Sequence, residues 1–258
     1  MSCSEHEMKG YTYKGSLNSL KEFWEDKGRT ESFERGYHIR LEGISNIVDK
    51  ISNFIDSKMV LDIGCGPGIA ASLFPQNAKI IGLDFSISML KSAKHRIPQL
   101  IHGSIFDLPV VDEVFEVVTC FFVASDYSVK DGIFSEAYRV LENNGLFLFS
   151  DYSPNDEHWI LRRRTSPLLG ESCNIFIESG ESLKNKLERA GFKVQKTEFI
   201  KFNPQFELGW YIKSEKELEQ LKDTEPSLWE YIQHRMNNKK ISREFILLFS
   251  RKQARNKL

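Results

Sequence analysis

Three glycines at alternate positions follow a short apolar run near residue 60. The run covers residues 59–61, and residues 62–68 then read Asp-Ile-Gly-Cys-Gly-Pro-Gly. Glycine has no Cβ and adopts positive φ at little steric cost, so a glycine turn can bring the backbone close to a ligand. The pattern predicts a strand over 59–63, a tight turn, and a helix over 67–74.

A second apolar run ends in an aspartate that stands sixteen residues after the last of these glycines. The run covers residues 79–83, and Asp84 terminates it. An acidic residue at the tip of the second parallel strand is where the two hydroxyls of a ribose are bound in nucleotide-binding sheets. A glycine turn after one strand and an aspartate after the next therefore indicate a ligand that contains a nucleoside.

The spacing of the glycines excludes two common kinds of nucleotide site. A dinucleotide fingerprint requires glycine at position 69, where Ile69 stands, and a phosphate-binding P-loop requires a lysine that is absent here. The pattern that remains, D-x-G-x-G-x-G, resembles the first motif of the class I S-adenosylmethionine-dependent methyltransferases. A purely structural strand-turn-helix also uses such glycines, so the later segments must decide between the two interpretations.

The resemblance implies a set of residues around the sugar, methionine and adenine of S-adenosylmethionine. It places the glycine turn under the methionine part and the sugar, Asp62 near the amino group, and Asp84 on both ribose hydroxyls. Asp84 also begins a segment similar to D-x-S-x-x-M-L, in which Phe85 and Met89 pack on the adenine. Ser86 fits this pattern and equally fits a simple helix N-cap. The glycines of the turn are Gly64, Gly66 and Gly68.

A third segment, residues 103–109, resembles the G-D-x-x-x-L-P-type stretch of the same family. The resemblance implies that Asp107 accepts a hydrogen bond from the adenine amine and that the Leu108 N–H reaches a ring nitrogen. Ser104 stands where the family often has Asp or Asn, which leaves one adenine contact open. The cofactor-binding residues implied by this segment and by the end of the fourth strand are Ile105, Phe106, Asp107, Leu108 and Phe121.

Short apolar runs alternate with helical stretches along the chain, which is typical of an α/β fold. We predict a doubly wound, mostly parallel seven-stranded sheet with helices on both faces. The family resemblance implies that the last strand runs antiparallel beside the fifth. The predicted strands are 59–63, 79–83, 98–102, 115–121, 144–150, 193–199 and 243–250, and the further predicted helices are 86–95, 129–142 and 180–190.

The chain divides into four predicted parts. Residues 1–57 form a helical, aromatic-rich N-terminal cap, and residues 58–200 form the cofactor-binding core. Residues 201–242 form a late helical insertion, and residues 243–258 supply the last core strand and a tail. The insertion is predicted because Glu, Lys and Gln alternate with apolar residues at helical spacing over 214–236.

Composition and charge limit the class of partner. The chain has 258 residues, with 35 basic against 36 acidic side chains, so no global field favours nucleic acid. Its four cysteines are dispersed and form no CxxC pair, so we expect no metal site and a reducing, cytoplasmic environment. No signal peptide or run of eighteen apolar residues is present, so no membrane span is expected. The oligomeric state stays open.

The implied chemistry is attack of an acceptor lone pair on the methyl carbon of a sulfonium. The protein contributes orientation and exclusion of water, and a base is needed only if the acceptor loses a proton. His158 is the preferred candidate base, Tyr127 is a second catalytic candidate, and His38 is a further rival. The three arginines at 162–164 either bind an anionic group of the acceptor or form a solvated face.

The sequence is compatible with three functions. The leading one is methyl transfer to oxygen, nitrogen or carbon of a small molecule, favoured by the aromatic cap, the helical insertion and the lack of a basic face. An RNA or protein methyltransferase is the second, although no Asn/Asp-Pro-Pro-Tyr motif follows strand four and no proline precedes Cys120. A non-catalytic binding module is the third. The intact aspartates at 62, 84 and 107 argue against it.

Overall fold

The structure is a computed structural model that describes residue 25 and residues 38–126, 130–169, 175–208, 211–212 and 214–253. Tyr127 and most of the predicted N-terminal cap lie outside these residues. The strands are β1 (Met59–Ile63), β2 (Lys79–Asp84), β3 (Gln99–His102), β4 (Phe115–Phe121), β5 (Leu141–Tyr152), β6 (Phe192–Phe202) and β7 (Arg243–Lys252). The α-helices are α1 (His38–Ile55), α2 (Ile87–Ala93), α3 (Asp131–Val140), α4 (Glu157–Thr165), α5 (Gly180–Arg189), α6 (Glu215–Thr224) and α7 (Pro226–Asn238).

All seven strands join one sheet in the order β3-β2-β1-β4-β5-β7-β6. Strands β1 to β5 pair in parallel, whereas β7 runs antiparallel to both β5 and β6. The strand order reverses between β1 and β4, and ligands of open α/β sheets bind at the carboxyl ends of the strands beside such a reversal. The predicted fold class, with its antiparallel last strand, is confirmed.

Helices cover both faces of the sheet. Helix α1 buries one apolar stripe, including Ile47 and Ile51, against one face, and α3 and α5 cover the opposite face. Leu183 and Leu187 of α5 are fully buried, as their four-residue spacing predicts. The central strands are buried on both sides and therefore read as continuous apolar runs rather than as alternating ones.

One predicted helix is wrong and one observed helix was not predicted. Residues 67–74 contain only a short 3₁₀ segment, Ala71–Leu73, because Gly68 has positive φ and Pro75 favours extended backbone at Phe74. Helix α4 (Glu157–Thr165) follows the end of β5 and was not predicted. Its N-cap is Asp156, whose side chain accepts a hydrogen bond from the Trp159 N–H.

The helical pair predicted over 214–236 is present as α6 and α7, which lie in the chain between β6 and β7. Pro226 stands in the first turn of α7, where the missing N–H of proline costs no hydrogen bond. The pair packs around its own apolar cluster, which includes Tyr211, Leu228 and Ile232 and also takes in Leu161 of α4. No described helix is both long and apolar enough to cross a membrane.

A buried ion pair joins α4 to β7. The Arg243 Nε lies 3.0 Å from Oδ1 and 2.8 Å from Oδ2 of Asp156, and the Glu244 N–H donates to the same carboxylate at 3.0 Å. Both partners are almost fully removed from solvent. Removing one member of a buried pair leaves an uncompensated charge, so this contact is expected to be sensitive to substitution.

We expect Asp156→Ala to lower the free energy of unfolding by about 3–5 kcal/mol, because it strands the Arg243 guanidinium and removes a helix cap. Urea denaturation followed by circular dichroism measures the change. The matched control is Asp112→Ala, whose carboxylate pairs with Arg139 at 2.7 Å on the surface. That substitution should cost about 0–1 kcal/mol. Equal losses in the two variants would contradict the assignment of a buried pair to the fold.

Candidate functional site

The glycine turn is hydrogen-bonded to the end of β2. The backbone N–H groups of Gly64 and Cys65 both donate to the Leu83 carbonyl, at 2.7 and 2.9 Å. The φ angles of the turn glycines are positive, a conformation that residues other than glycine rarely adopt. They are +68° at Gly64, +53° at Gly66 and +77° at Gly68. The turn predicted from the sequence therefore needs glycine at these positions for its backbone conformation.

Asp84 holds the turn and the next helix together. Its Oδ2 accepts the Gly66 N–H at 2.8 Å, and its Oδ1 accepts the Ser86 N–H at 2.9 Å. A carboxylate has about four lone-pair positions, so both oxygens can still accept further hydrogen bonds. Burial raises the pKa of Asp84 to about 6, and the backbone N–H groups of Ser86, Gly66 and Phe85 oppose part of that rise.

Asp62 lies at the end of β1, close enough to Asp84 for their charges to interact. Its Oδ1 accepts a hydrogen bond from the Thr119 hydroxyl of β4 at 2.7 Å. Burial raises the pKa of Asp62 to about 7; the Thr119 hydrogen bond opposes the shift and the Asp84 charge adds to it. Thr119 was not among the site residues predicted from the sequence. The sequence signal for Thr119 is that it is the one hydroxyl side chain in β4.

Two of the glycines differ in what surrounds them. A Cβ added at Gly64 would lie 2.3 Å from a methyl group of Val123, in the loop after β4. A Cβ added at Gly66 would meet no atom of the described residues within 4 Å. Gly64 is therefore a packing position, whereas Gly66 presents bare backbone to open space beside Asp84. This arrangement fits a ligand that lies across the turn.

The start of α2 carries two caps. Ser86 is the N-cap, and its Oγ accepts the Met89 N–H at 3.2 Å, so the simple capping role left open by the sequence is observed. The Glu25 carboxylate also accepts the N–H groups of Ile87 and Ser88, at 3.0 and 3.3 Å. Glu25 was not predicted from the sequence, because no local pattern connects it to Ile87, which lies 62 positions later. Met89 is buried and Phe85 is partly buried, and their contact with adenine stays a prediction.

The third predicted segment is only partly arranged as expected. Ile105 and Leu108 are buried, Phe106 is partly buried, and Asp107 is exposed. The Leu108 N–H donates to the Glu136 carboxylate at 2.7 Å, so it is engaged inside the protein rather than aimed at a ligand. The physical reason is that α3 brings Glu136 over this loop, which the local sequence cannot show.

A buried lysine lies beside the carboxyl ends of β4 and β5. The Lys130 Nζ donates to the carbonyls of Ala124 and Phe176, at 2.7 and 2.9 Å, and lies 4.0 Å from the Asp151 carboxylate. Burial raises the pKa of Asp151 to about 6, against the lowering effect of Lys130. No local pattern predicts a fully buried lysine at this position.

His158, the predicted candidate base, lies in a helix, and its role as a base stays a prediction. It lies in the first turn of α4, almost fully buried, with Nδ1 2.8 Å from the Tyr211 hydroxyl and its ring against Trp159. Helix α4, which was not predicted, turns the His158 side chain inward. Of the three arginines after it, Arg163 and Arg164 are exposed, and Arg164 pairs with Glu225 at 3.5 Å. These two arginines are consistent with a solvated face.

The described residues bring Asp62, Asp84 and the glycine turn together at the carboxyl edge of the sheet, with Phe121 at the end of the neighbouring strand β4. Among those residues no group of three or more His, Cys, Asp or Glu side chains is arranged to hold a metal ion. Two buried carboxylates beside an open backbone turn can bind a ligand that has vicinal hydroxyls and a positive charge.

Comparisons with known sequences agree with this arrangement. Residues 61–149 match the family model described as a methyltransferase domain. A probable S-adenosylmethionine-dependent methyltransferase of Mycolicibacterium smegmatis is 30% identical over 170 residues, which cover 64% of this chain and 62% of that protein. A demethylmenaquinone methyltransferase of Corynebacterium kroppenstedtii is 30% identical over 95 residues, which cover 36% of this chain and 42% of that protein. This chain thus spans less than two thirds of either relative.

Solved structures share the fold. A putative methyltransferase of Bacillus halodurans has a TM-score of 0.62 at 21% identity, covering 80% of this chain and 99% of that one. Magnesium protoporphyrin IX methyltransferase of Synechocystis, solved with bound SAH, has a TM-score of 0.62 at 14% identity, covering 92% of this chain and 100% of that one. Residues 61–149 thus match a methyltransferase domain, and the chain shares the fold of these solved methyltransferases.

Proposed function

We propose that this chain transfers the methyl group of S-adenosylmethionine to an oxygen, nitrogen or carbon atom of a small molecule. The observation that carries the proposal is the Asp84 carboxylate, which holds the glycine turn while both of its oxygens keep unused lone pairs. It stands beside Gly66, where the backbone faces open space. Asp84 would accept the two ribose hydroxyls, and Asp62 would favour the positively charged part of the cofactor.

When bound, the cofactor supplies an activated methyl group on a sulfonium, and the carbon–sulfur bond breaks as the acceptor lone pair forms the new bond. This chain's contribution is to hold the acceptor in line and to keep water away. The buried ends of β4 and β5 suit that role, because Phe121 and Tyr152 are both almost fully removed from solvent. His158 as a base, and the other assigned site residues, are part of this proposal.

A small-molecule acceptor is favoured over nucleic acid by charge and by similarity. The net charge is −1, so no general attraction to a polyanion exists. Relatives named for their substrates include demethylmenaquinone methyltransferases and a phthiotriol/phenolphthiotriol dimycocerosates methyltransferase. The buried free thiols of Cys65 and Cys120 suit a reducing compartment, and we propose that the chain acts in the cytoplasm.

The proposal is tested by calorimetric titration with S-adenosylmethionine. We expect Asp84→Asn to weaken binding by about 10- to 100-fold, because a charge-assisted acceptor is replaced by an amide that offers only one acceptor oxygen. Asp112→Asn is the matched control, since Asp112 is exposed in a surface ion pair, and it should bind like the wild type. The absence of binding by the wild type would reject the function, and full binding by Asp84→Asn would reject the site.

Substitutions at Gly64 and Gly66 should distinguish a packing role from a ligand-binding role. We expect Gly66→Ala to weaken S-adenosylmethionine binding at least about tenfold while costing only about 1–2 kcal/mol of stability from its positive φ. Gly64→Ala should cost about 2–5 kcal/mol, because strain adds to the overlap with Val123. Calorimetry and thermal denaturation measure the two effects. A Gly66→Ala variant with unimpaired binding would show that no ligand crosses the turn.

Binding should depend on pH below neutrality. The pKa of Asp84 is raised to about 6 and that of Asp62 to about 7, so both are largely protonated in the free protein at pH 5.5. A cationic ligand favours the ionised forms and must release those protons, so affinity should rise about tenfold between pH 5.5 and 7. Calorimetric titrations in buffers of different ionisation enthalpy measure the number of protons released on binding. Binding that is independent of pH and releases no proton would contradict this expectation, and Asp84→Asn should flatten the profile.

A further inference from the structure

A cavity of about 560 Å³ lies at the amino edge of the sheet. Its lining includes Met59, Lys79 and Gln99, which are the first residues of β1, β2 and β3. Asp84 ends the strand that Lys79 begins, and at about 3.3 Å per residue the two ends of β2 are about 16 Å apart. The cavity is therefore separate from the proposed cofactor site at the carboxyl edge.

The cavity has apolar walls because no full helix covers this part of the sheet. Between β1 and β2 the chain forms only the 3₁₀ segment Ala71–Leu73. Ile80 and Ile81 of β2 consequently stay partly exposed in the lining, whereas Leu83 of the same strand is fully buried. Phe74 adds a buried ring to the lining. Pockets of about 300–1,000 Å³ with mostly apolar walls are typical of small-molecule sites.

The charge of the lining is positive. The lining contains Lys79 and Arg96, and no Asp or Glu is among the described residues that form it. The Lys79 ammonium makes no hydrogen bond or ion pair with any described residue. Glu116 is near enough for its charge to interact with Lys79, but its carboxylate already accepts hydrogen bonds from the Lys58 ammonium at 2.8 Å and the Met59 N–H at 3.0 Å. An anionic group would therefore be complementary to this lining.

Arg96 connects the cavity to the glycine turn. Its Nη1 donates to the carbonyl of Pro67, a residue of the turn, at 2.9 Å. The next residue, Ile97, is buried, and a Cβ added at Gly68 would lie 3.2 Å from its side chain. Arg96 is exposed, and a carboxylate bound to its guanidinium would restrict its side chain. A restricted Arg96 would hold the Pro67 carbonyl, and with it the turn, in one conformation.

We propose that this cavity binds a small carboxylate with an apolar body, and that the bound carboxylate tightens cofactor binding through Arg96. Lys79 and Arg96 receive the carboxylate, and Phe74, Ile80 and Ile81 contact the apolar body. The coupling rests on the proposed function, because it requires a cofactor at the glycine turn, whereas the cavity and its ligand class do not. Two ligands that are coupled in this way raise each other's affinity by the same factor.

The test is calorimetric titration of the full chain with octanoate. Its uncharged counterpart, 1-octanol, should bind at least about tenfold more weakly, because the charge-assisted hydrogen bonds are lost. Lys79→Gln should weaken octanoate binding by about 5- to 10-fold, and it strands no partner in the fold. Lys193→Gln is the matched control, since Lys193 is also an exposed strand lysine but lies on β6, at the other end of the sheet. It should bind octanoate like the wild type.

Ala78→Leu provides a second variant, which tests the space rather than the charge. Ala78 lines the cavity and is partly buried, so a larger side chain there would occupy its apolar part. This variant should weaken octanoate binding at least about tenfold and keep the wild-type affinity for S-adenosylhomocysteine, which reports that the fold survives.

The coupling is measured by titrating the wild type with S-adenosylhomocysteine in the presence and absence of saturating octanoate. The affinity should be about fivefold higher with octanoate, and saturating S-adenosylhomocysteine should raise the octanoate affinity by the same factor.

Three results overturn the assigned site: no octanoate binding by the wild type, equal binding of 1-octanol, or wild-type octanoate affinity in either Lys79→Gln or Ala78→Leu. An affinity for S-adenosylhomocysteine that octanoate lowers or leaves unchanged overturns the coupling through Arg96. Failure of the wild type to bind S-adenosylhomocysteine instead overturns the proposed function, and the octanoate titrations then still decide the ligand class of the cavity.

Discussion

The Asp84 carboxylate is the contact on which the cofactor side of the molecule depends. One buried side chain accepts N–H groups from the glycine turn and from the start of α2, so it fixes the relative position of two elements that follow different strands. A carboxylate can do this and still receive a ligand because it has more lone pairs than the backbone uses. The same burial that protects these hydrogen bonds raises its pKa. In the proposed site, Asp84 therefore has both a structural role and a binding role.

The antiparallel direction of β7 determines which side chains lie beside the carboxyl end of β5. Strands β4 and β5 end at the carboxyl edge, and β7 begins there because it runs in the opposite direction. Its first residue, Arg243, consequently lies beside the last residue of β5. A parallel seventh strand would have put its first residue at the far edge of the sheet. The antiparallel direction of β7 thus places the Arg243 guanidinium at the carboxyl edge of the sheet.

The sequence predicted those features that depend on local pattern. Apolar runs located all seven strands, and the glycine spacing located the turn and Asp84. What it missed depends on contacts between distant residues, such as Thr119 with Asp62, Glu136 with the Leu108 N–H, and Asp156 with Arg243. Helix α4 was missed because its apolar stripe is weak and its partner, the cluster around Leu228 and Ile232, comes much later in the chain.

The pair α6 and α7 has a small apolar core of its own, joined to the rest of the described protein largely through α4. Substitutions inside that core can shift α4, and with it Trp159, while the strands that carry Asp62 and Asp84 stay in place. Under the proposed function, such an arrangement lets substitutions alter the acceptor side of the site while the proposed cofactor side is retained. The two halves of the chain can accordingly diverge at different rates.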